Sequence, residues 1–310
     1  METMELTTQI ALKKILFATD FSPASEATLA CAEAFARHYG STIYLAHVIA
    51  PSADRGGPTR TPPFPIEKTR QCVQEQMEEL ARSKGLQGIS HESIIGEGDI
   101  ADILSDIVRN WGIDLAVLAT HGHHGSQKFV LGSVAEAIFR RAACPVLTVG
   151  PKACGHAGAE MNLRHILLGT DLTPTSLAAL PLALSLAQEH RSRLTLLRLV
   201  HPEIQSPSER HRIKTSYEAQ LQSLVPEETQ RWCRVEAVVE FGLAADSILQ
   251  FAARQGTDLI VLGVRGTGVF DWSASQIPSP TAYVVAAQAI CPVMTVRDSQ
   301  IFLKASSERL

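Results

Sequence analysis

The chain has 310 residues, 45% of them hydrophobic, with six cysteines and a formal net charge of −4 at pH 7. The length predicts two domains, and the hydrophobic share excludes a largely disordered chain. The mild acidity excludes a dedicated nucleic-acid binder, the lack of an apolar run of about 18 residues excludes a membrane span, and scattered cysteines without a CxxC pair exclude a disulfide framework or zinc site.

The opening METMELTTQIALKK carries acids first and no long apolar core, so it does not read as a secretory signal. The expected location is cytoplasmic, with reduced thiols. KKILFAT (13–19) is a short apolar strand running into Asp20-Phe21-Ser22-Pro23. Ser22 suits a helix cap and Pro23 its first turn, and the alanine-rich run to Tyr39 has helical spacing. TIYLAHVI (42–49) is a strand. SADRGGPTRTPPFP (52–65) reads as a mobile loop, or as a flap whose Arg55 or Arg60 reaches a ligand's phosphate. An amphipathic helix from Ile66, the strand ISHESIIG (89–96), a helix stopped by Gly112 and the buried strand DLAVLAT (114–120) follow. A loop, a helix opening at Gly132-Ser133 and the strand PVLTV (145–149) complete the unit.

The whole unit then recurs. KILFATDFSPAS (14–25) aligns with HILLGTDLTPTS (165–176), and STIYLAHVIAP with SRLTLLRLVHP, both at an offset of 151. GDIADILSDIVRNWGIDLAVLATHG (98–122) aligns with GLAADSILQFAARQGTDLIVLGVRG (242–266) at 144, and ACPVLTV with ICPVMTV at 147. A period this long means two homologous domains, expected at 12–151 and 163–297, with a glycine- and alanine-bearing linker over 150–163. Strands alternating with helices predict parallel sheets covered on both faces. The expected fold is therefore α/β: two doubly wound, Rossmann-like domains in tandem, each with a five-stranded parallel sheet.

ATHGHHGSQKFVLGS (119–133) is the stretch richest in chemistry. Gly122 follows the fourth strand, and Gly132-Ser133 opens a helix whose unpaired amides and dipole suit an anion. Lys128 could add charge. An ordinary tight turn capping a helix explains the same residues, and the pattern is neither the Walker loop nor the dinucleotide fingerprint. His121, His123 and His124 read as exposed loop side chains before they read as metal ligands, because no carboxylate or cysteine stands nearby. His47 reads as a packed strand residue. Asp20 and Asp171 suit turn formation as well as ligand contact. Asp99 and Asp102 suit a helix start. Cys144 and Cys291 read as buried core, and Cys154 as the thiol open to redox chemistry.

Ala119-x2-Gly122-x9-Gly132-Ser133 and the following VAEAIFRRAACPVLTV resemble the G-x2-G-x9-G-[ST] motif and closing strand of ATP-binding universal stress proteins, and ILFATDFSPAS and LAHVI resemble that family's opening. The likeness runs through nearly the whole chain, twice. It implies ATP, with or without Mg2+, as the ligand of the first copy. By position, Asp20 would meet the adenosine end, the Val48 backbone the adenine edge, and Ala18 the base. Leu118, Ala119 and Gly122 would border the phosphates, and Gly132, Ser133 and Val134 would bind them. Ala119 departs from the motif's glycine. The second copy keeps Asp171, Leu199, Gly263 and Gly266 but has Ser279-Pro280 where the helix should open, so its site is expected to be degenerate. The resemblance also implies pairing of PVLTV with PVMTV in an intramolecular pseudo-dimer, and it leaves open a homodimer of whole chains.

No nucleophile elbow, HExxH helix or kinase set is present, and no carboxylate lies between Ala119 and Ser133 to hold a metal near phosphates. Any ATP turnover is expected to be slow. The leading expectation is a non-catalytic, cytoplasmic, ATP-binding stress-response regulator acting on a protein partner that the sequence does not name. The alternative is an interaction protein of the same fold that has lost nucleotide binding.

Overall fold

The computed structural model describes residues 10–51, 66–121, 132–153, 161–201, 203, 206–265 and 280–297. The first copy contains β1 (Lys14–Ala18), α1 (Pro23–Tyr39), β2 (Thr42–Ile49), α2 (Ile66–Ala81), β3 (His91–Glu97), α3 (Ile100–Trp111), β4 (Leu115–Ala119), α4 (Ser133–Arg141) and β5 (Val146–Val149). The second contains β6 (His165–Thr170), α5 (Pro174–Leu177), α6 (Leu180–His190), β7 (Arg193–Val200), α7 (Pro207–Ser223), β8 (Arg234–Phe241), α8 (Ala244–Gln255), β9 (Leu259–Val264), α9 (Pro280–Gln288) and β10 (Val293–Arg297).

These elements form two compact units. One holds β1 to β5 with α1 to α4 and α9. Its strands run in the order β3-β2-β1-β4-β5, all parallel. The other holds β6 to β10 with α5 to α8, in the order β10-β9-β6-β7-β8, again all parallel. The doubly wound, five-stranded expectation holds for each copy. The order reverses at β1 and β6, and in such sheets that crevice takes ligands.

Continuous apolar strands fit sheets buried on both faces: Ile15, Leu16 and Phe17 of β1 and Leu115, Ala116 and Val117 of β4 are all buried. The Ser22 hydroxyl accepts from the Ser25 amide at 3.2 Å, and Pro23 occupies the first turn of α1. Gly40 and Gly112 end α1 and α3 in the left-handed region, where glycine has no Cβ to clash. The duplication reaches individual hydrogen bonds. Asp114 Oδ2 accepts the amides of Lys13 and Lys14 at 2.8 and 2.9 Å, and Asp258 Oδ2 accepts those of Arg164 and His165 at 2.9 and 2.8 Å.

One element departs from the expected alternation. Where α1 is a single 17-residue helix, the second copy has α5 and α6, four and eleven residues long. Pro181 explains the break. It has no N–H to offer the carbonyl four residues back, and its ring crowds that carbonyl. Cys144 and Cys291 are buried as expected, and burial pushes the Cys144 thiol up to about 12. Cys154 lies outside the described residues.

Candidate functional site

The first copy opens a cleft of about 840 Å³ at the carboxyl ends of β1, β2 and β4. That size lies within the ~300–1,000 Å³ usual for small-molecule sites. Ala18, Thr19 and Asp20 enter it from β1, Ala46 to Ala50 from β2, and Leu118 to His121 from β4. Gly98 to Ala101 approach from the start of α3, and Gly132, Val134 and Ala135 from the start of α4. Of the residues singled out in the sequence, Ala18, Asp20, Val48, Leu118, Ala119, Gly132 and Val134 thus line one cavity. Ser133 begins α4. Gly122, Lys128, His123, His124, Arg55, Arg60, Trp272, Gly266 and Ser279 lie outside the described residues.

The turn after β1 is held by hydroxyls. The Thr19 amide donates to the Ala46 carbonyl at 2.9 Å. Thr19 Oγ1 accepts from the Phe21 amide at 3.0 Å and from the Ser25 hydroxyl at 2.9 Å. Asp20 Oδ1 accepts from the Ser22 amide at 3.0 Å, the turn-forming role that aspartate often plays. These bonds hold Phe21 at φ 58, left-handed despite its Cβ. The second copy repeats the device: Thr170 Oγ1 accepts from Leu172, Asp171 Oδ1 from Thr173, and Leu172 has φ 65.

Register explains the place of Val48. Pairing of β1 with β2 ends at Ala18 opposite Ala46, whereas β2 continues beside β3 to Ile49 opposite Glu97. In a parallel ladder the peptide groups of alternate residues face the same neighbour. The Thr42 amide and the Ala46 carbonyl both bond to the β1 side, so Val48 points its N–H and C=O there too, beyond the last residue of β1. A planar edge with one donor and one acceptor fits such a backbone.

The α4 start supplies the anion-seeking end. Gly132 is the cap residue, at φ −62 and ψ 150, and its own amide is committed to the Thr120 carbonyl at 2.8 Å. The Glu136 amide closes the first helical bond onto Gly132. That leaves the amides of Ser133, Val134 and Ala135 without intrahelical partners. A Cβ at 132 would approach the Thr120 carbonyl at 3.2 Å. Ala119 sits in β4 with no positive φ, so its methyl group costs no backbone strain.

Five cleft residues were not assigned to the site from the sequence: His47, Thr120, His121, Asp99 and Arg141. His47 Nδ1 donates to the Thr19 carbonyl at 2.9 Å, and its ring stacks on Phe21. Burial is the main cause holding its pKa below the usual histidine value, against the opposing effects of the Thr19 carbonyl and Asp20. Thr120 and His121 are bonded to each other at 2.9 Å and are buried. Asp99 caps α3 by accepting the Asp102 amide at 2.9 Å and also lines the cleft, as does Arg141, which is paired with Asp102. Alternating His47 within an apolar strand was the available signal.

The second copy is packed differently at the matching point. A Cβ on Gly263, aligned with Ala119, would fall 2.2 Å from the Thr175 carbonyl oxygen and 2.6 Å from the Ser176 Cα. The broken helix rests directly on β9. Arg198 replaces His47, lies over the Tyr217 ring at 5.2 Å, and buries its Nε without a hydrogen-bond partner. Among the described residues no group of three His, Cys, Asp or Glu side chains could hold a metal ion, and no helix is long and apolar enough to cross a membrane.

A five-stranded parallel sheet built twice in one chain, with a ligand-sized crevice at the reversal point of the first copy, defines a tandem doubly wound α/β protein. The model of the universal stress protein family matches residues 11–150 and 162–297, and the chain belongs to that stress-response family. It is 32% identical over 147 residues to universal stress protein A homolog 1 of Coxiella burnetii, covering 45% of this chain and 97% of that protein. It is 25% identical over 144 residues to a Bacillus subtilis universal stress protein, covering 44% of this chain and 97% of the relative. A universal stress protein from Archaeoglobus fulgidus superposes over 93% of this chain and all of its own, with a TM-score of 0.69 and 19% identity.

Proposed function

We propose that the first domain, residues 12–151, binds an adenine nucleotide, ATP with or without Mg2+. In this reading the chain is a cytoplasmic stress-response regulator with slow or no turnover, and the second domain, residues 163–297, does not bind nucleotide. The observation that carries the reading is the convergence, in one 840 Å³ cleft, of the Val48 peptide edge and the α4 start.

Each end suits one part of such a ligand. The Val48 N–H and C=O would recognise the adenine edge, Ala18 would floor the base, and Asp20 would meet the ribose. The amides of Ser133 and Val134, at the positive end of α4, would hold phosphate oxygens, with Gly132 admitting close approach and Leu118, Ala119 and Gly122 bordering them. Mg2+ would neutralise phosphate charge. The cleft pairs the Thr120 hydroxyl with the His121 ring, but both residues are buried, which supports a binding role over a catalytic one. Pairing of the two closing strands within one chain, leaving chain-level dimerisation open, is the assembly this reading expects.

The test is to release bound ligand from purified protein with acid, identify it, and titrate Mg-ATP while following thermal unfolding. One equivalent of adenine nucleotide per chain supports the proposal. Protein that carries none and shows no thermal shift supports the interaction-protein reading.

A further inference from the structure

The cleft of the first copy has one more wall, and it comes from α2. Thr69 and Val73 line it together with the end of β2. The two are four residues apart and so share one face of the helix. Val73 is buried, whereas Thr69, nearer the start of α2, keeps part of its surface open.

A threonine or serine inside a helix commonly turns its hydroxyl back to the carbonyl four residues earlier. Thr28 does so to Ala24 at 2.8 Å, Ser105 to Ala101 at 2.6 Å and Thr215 to His211 at 3.0 Å. Thr69 is the fourth residue of α2, so the corresponding carbonyl lies ahead of the helix. Among the described residues its hydroxyl has no hydrogen-bond partner. The other hydroxyls of the cleft are in use. Those of Thr19 and Ser25 bond to each other, and Thr120 bonds to His121. Asp20, Asp99 and Arg141 are charged, and His47 spends Nδ1 on the Thr19 carbonyl. Thr69 is therefore the neutral hydroxyl of the described cleft that the fold leaves uncommitted.

The Val48 edge offers one N–H and one C=O. Adenine answers both: its N1 accepts from the N–H, and one hydrogen of its 6-amino group goes to the C=O. The second amino hydrogen is left over, and a hydroxyl oxygen can accept it. We propose that Thr69 is a specificity-determining residue for the base, its Oγ1 accepting that second hydrogen of a 6-amino purine. This inference rests on the nucleotide reading of the same cleft, in which the ribose and phosphates already have partners in Asp20 and the α4 start. Val73, one turn along, gives the ring an apolar neighbour. A purine that lacks the amino group gains nothing from Thr69, so the hydroxyl adds discrimination that the Val48 peptide does not supply alone.

The test is calorimetric titration of the full-length chain with Mg-ATP and, separately, with the magnesium salt of purine riboside triphosphate, which has the same ring without the amino group. Thr69→Val removes the hydroxyl at nearly constant shape, and Thr69→Ser retains it. Thr69→Val should weaken ATP binding about fivefold, the usual worth of one hydrogen bond, and leave the analogue's affinity unchanged. Thr69→Ser should keep wild-type affinity for both. The unchanged analogue also shows that the valine variant is folded. Equal losses for the two nucleotides, an unchanged ATP affinity in Thr69→Val, or a serine variant as weak as the valine variant overturns the role of Thr69 and leaves the nucleotide reading standing. A wild-type chain that binds neither nucleotide overturns both.

Discussion

The Phe21 ring stacks on the His47 imidazole with centroids 4.6 Å apart and planes 27° from parallel. The contact exists because Phe21 takes a left-handed backbone, and that backbone exists because Thr19 Oγ1 accepts the Phe21 amide. Thr19→Val keeps the shape and removes the acceptor. It should destabilise the first copy by about 1–3 kcal/mol, the cost of an unpaired buried amide. Thr170→Val should do the same in the second copy. Urea unfolding reads both, and wild-type midpoints in the two variants would show that the hydroxyls do not hold the turns.

Gly132→Asp separates binding from folding. Aspartate is a good helix cap and its charge suits the α4 dipole, which offset the 3.2 Å approach of its Cβ to the Thr120 carbonyl, so unfolding should shift by no more than about 1–2 kcal/mol. The same carboxylate would occupy the phosphate end of the cleft and repel the ligand. Mg-ATP should therefore no longer raise the unfolding temperature. Retained nucleotide binding in this variant places the ligand elsewhere.

Gly263 and Ala119 should respond in opposite ways to exchange. Gly263→Ala drives a methyl group into the Thr175 carbonyl, and overpacking of this kind costs about 1–3 kcal/mol. Ala119→Gly loses only strand propensity, about 0.5–1 kcal/mol, and leaves ATP affinity equal or higher. Denaturation of the two variants, side by side, gives the comparison. A freely tolerated Gly263→Ala would mean that the broken helix does not press on β9.

Acid should weaken the native state through two histidines. His47 and His165 both have folded-state pKa values lowered from 6.5, burial first in each case, with Arg193 adding to the effect at His165. The unfolded chain takes up these protons near its own value and the native chain does not, so stability is full above about pH 6.5 and falls below it. His165 is held neutral between Thr195, Thr257 and the Arg193 guanidinium, at 2.9, 3.2 and 3.1 Å. His165→Gln should flatten the decline between about pH 7 and pH 5. Wild-type stability that rises on acidification would contradict the assignment.

Phe139 is buried in α4 and meets the Tyr283 ring of α9 at 5.0 Å. Phe139→Ala should cost about 3–5 kcal/mol, as for large aromatic truncations in a core. Tyr283→Leu, which keeps most of the volume, should cost less. Equal losses, measured by chemical denaturation, would point to a specific ring contact instead of volume.

Features set within a few neighbouring residues were legible in the sequence. Ser22 and Pro23 announce α1, Gly112 ends α3, and the apolar runs of β4 and β9 reveal sheets covered on both sides. The repeat gave the second copy by translation. What was missed depends on register or on a third dimension. The Val48 peptide faces the cleft because β1 stops before β2 does, and no local pattern states where a partner strand stops. The Thr19 hydroxyl looks like any strand-end threonine until Phe21 and Ser25 fold back onto it. Pro181 was visible, and its position inside a helical run was the signal for the break between α5 and α6.

Gly263 carries a warning for pattern counting. Scored letter by letter, the second half of the chain matches a glycine signature better at this point than the first half, where alanine stands. The carbonyl wedged over Gly263 undoes that ranking: the smaller residue is retained by a neighbouring turn of the chain, so the better spelling reports packing and carries no message about a guest.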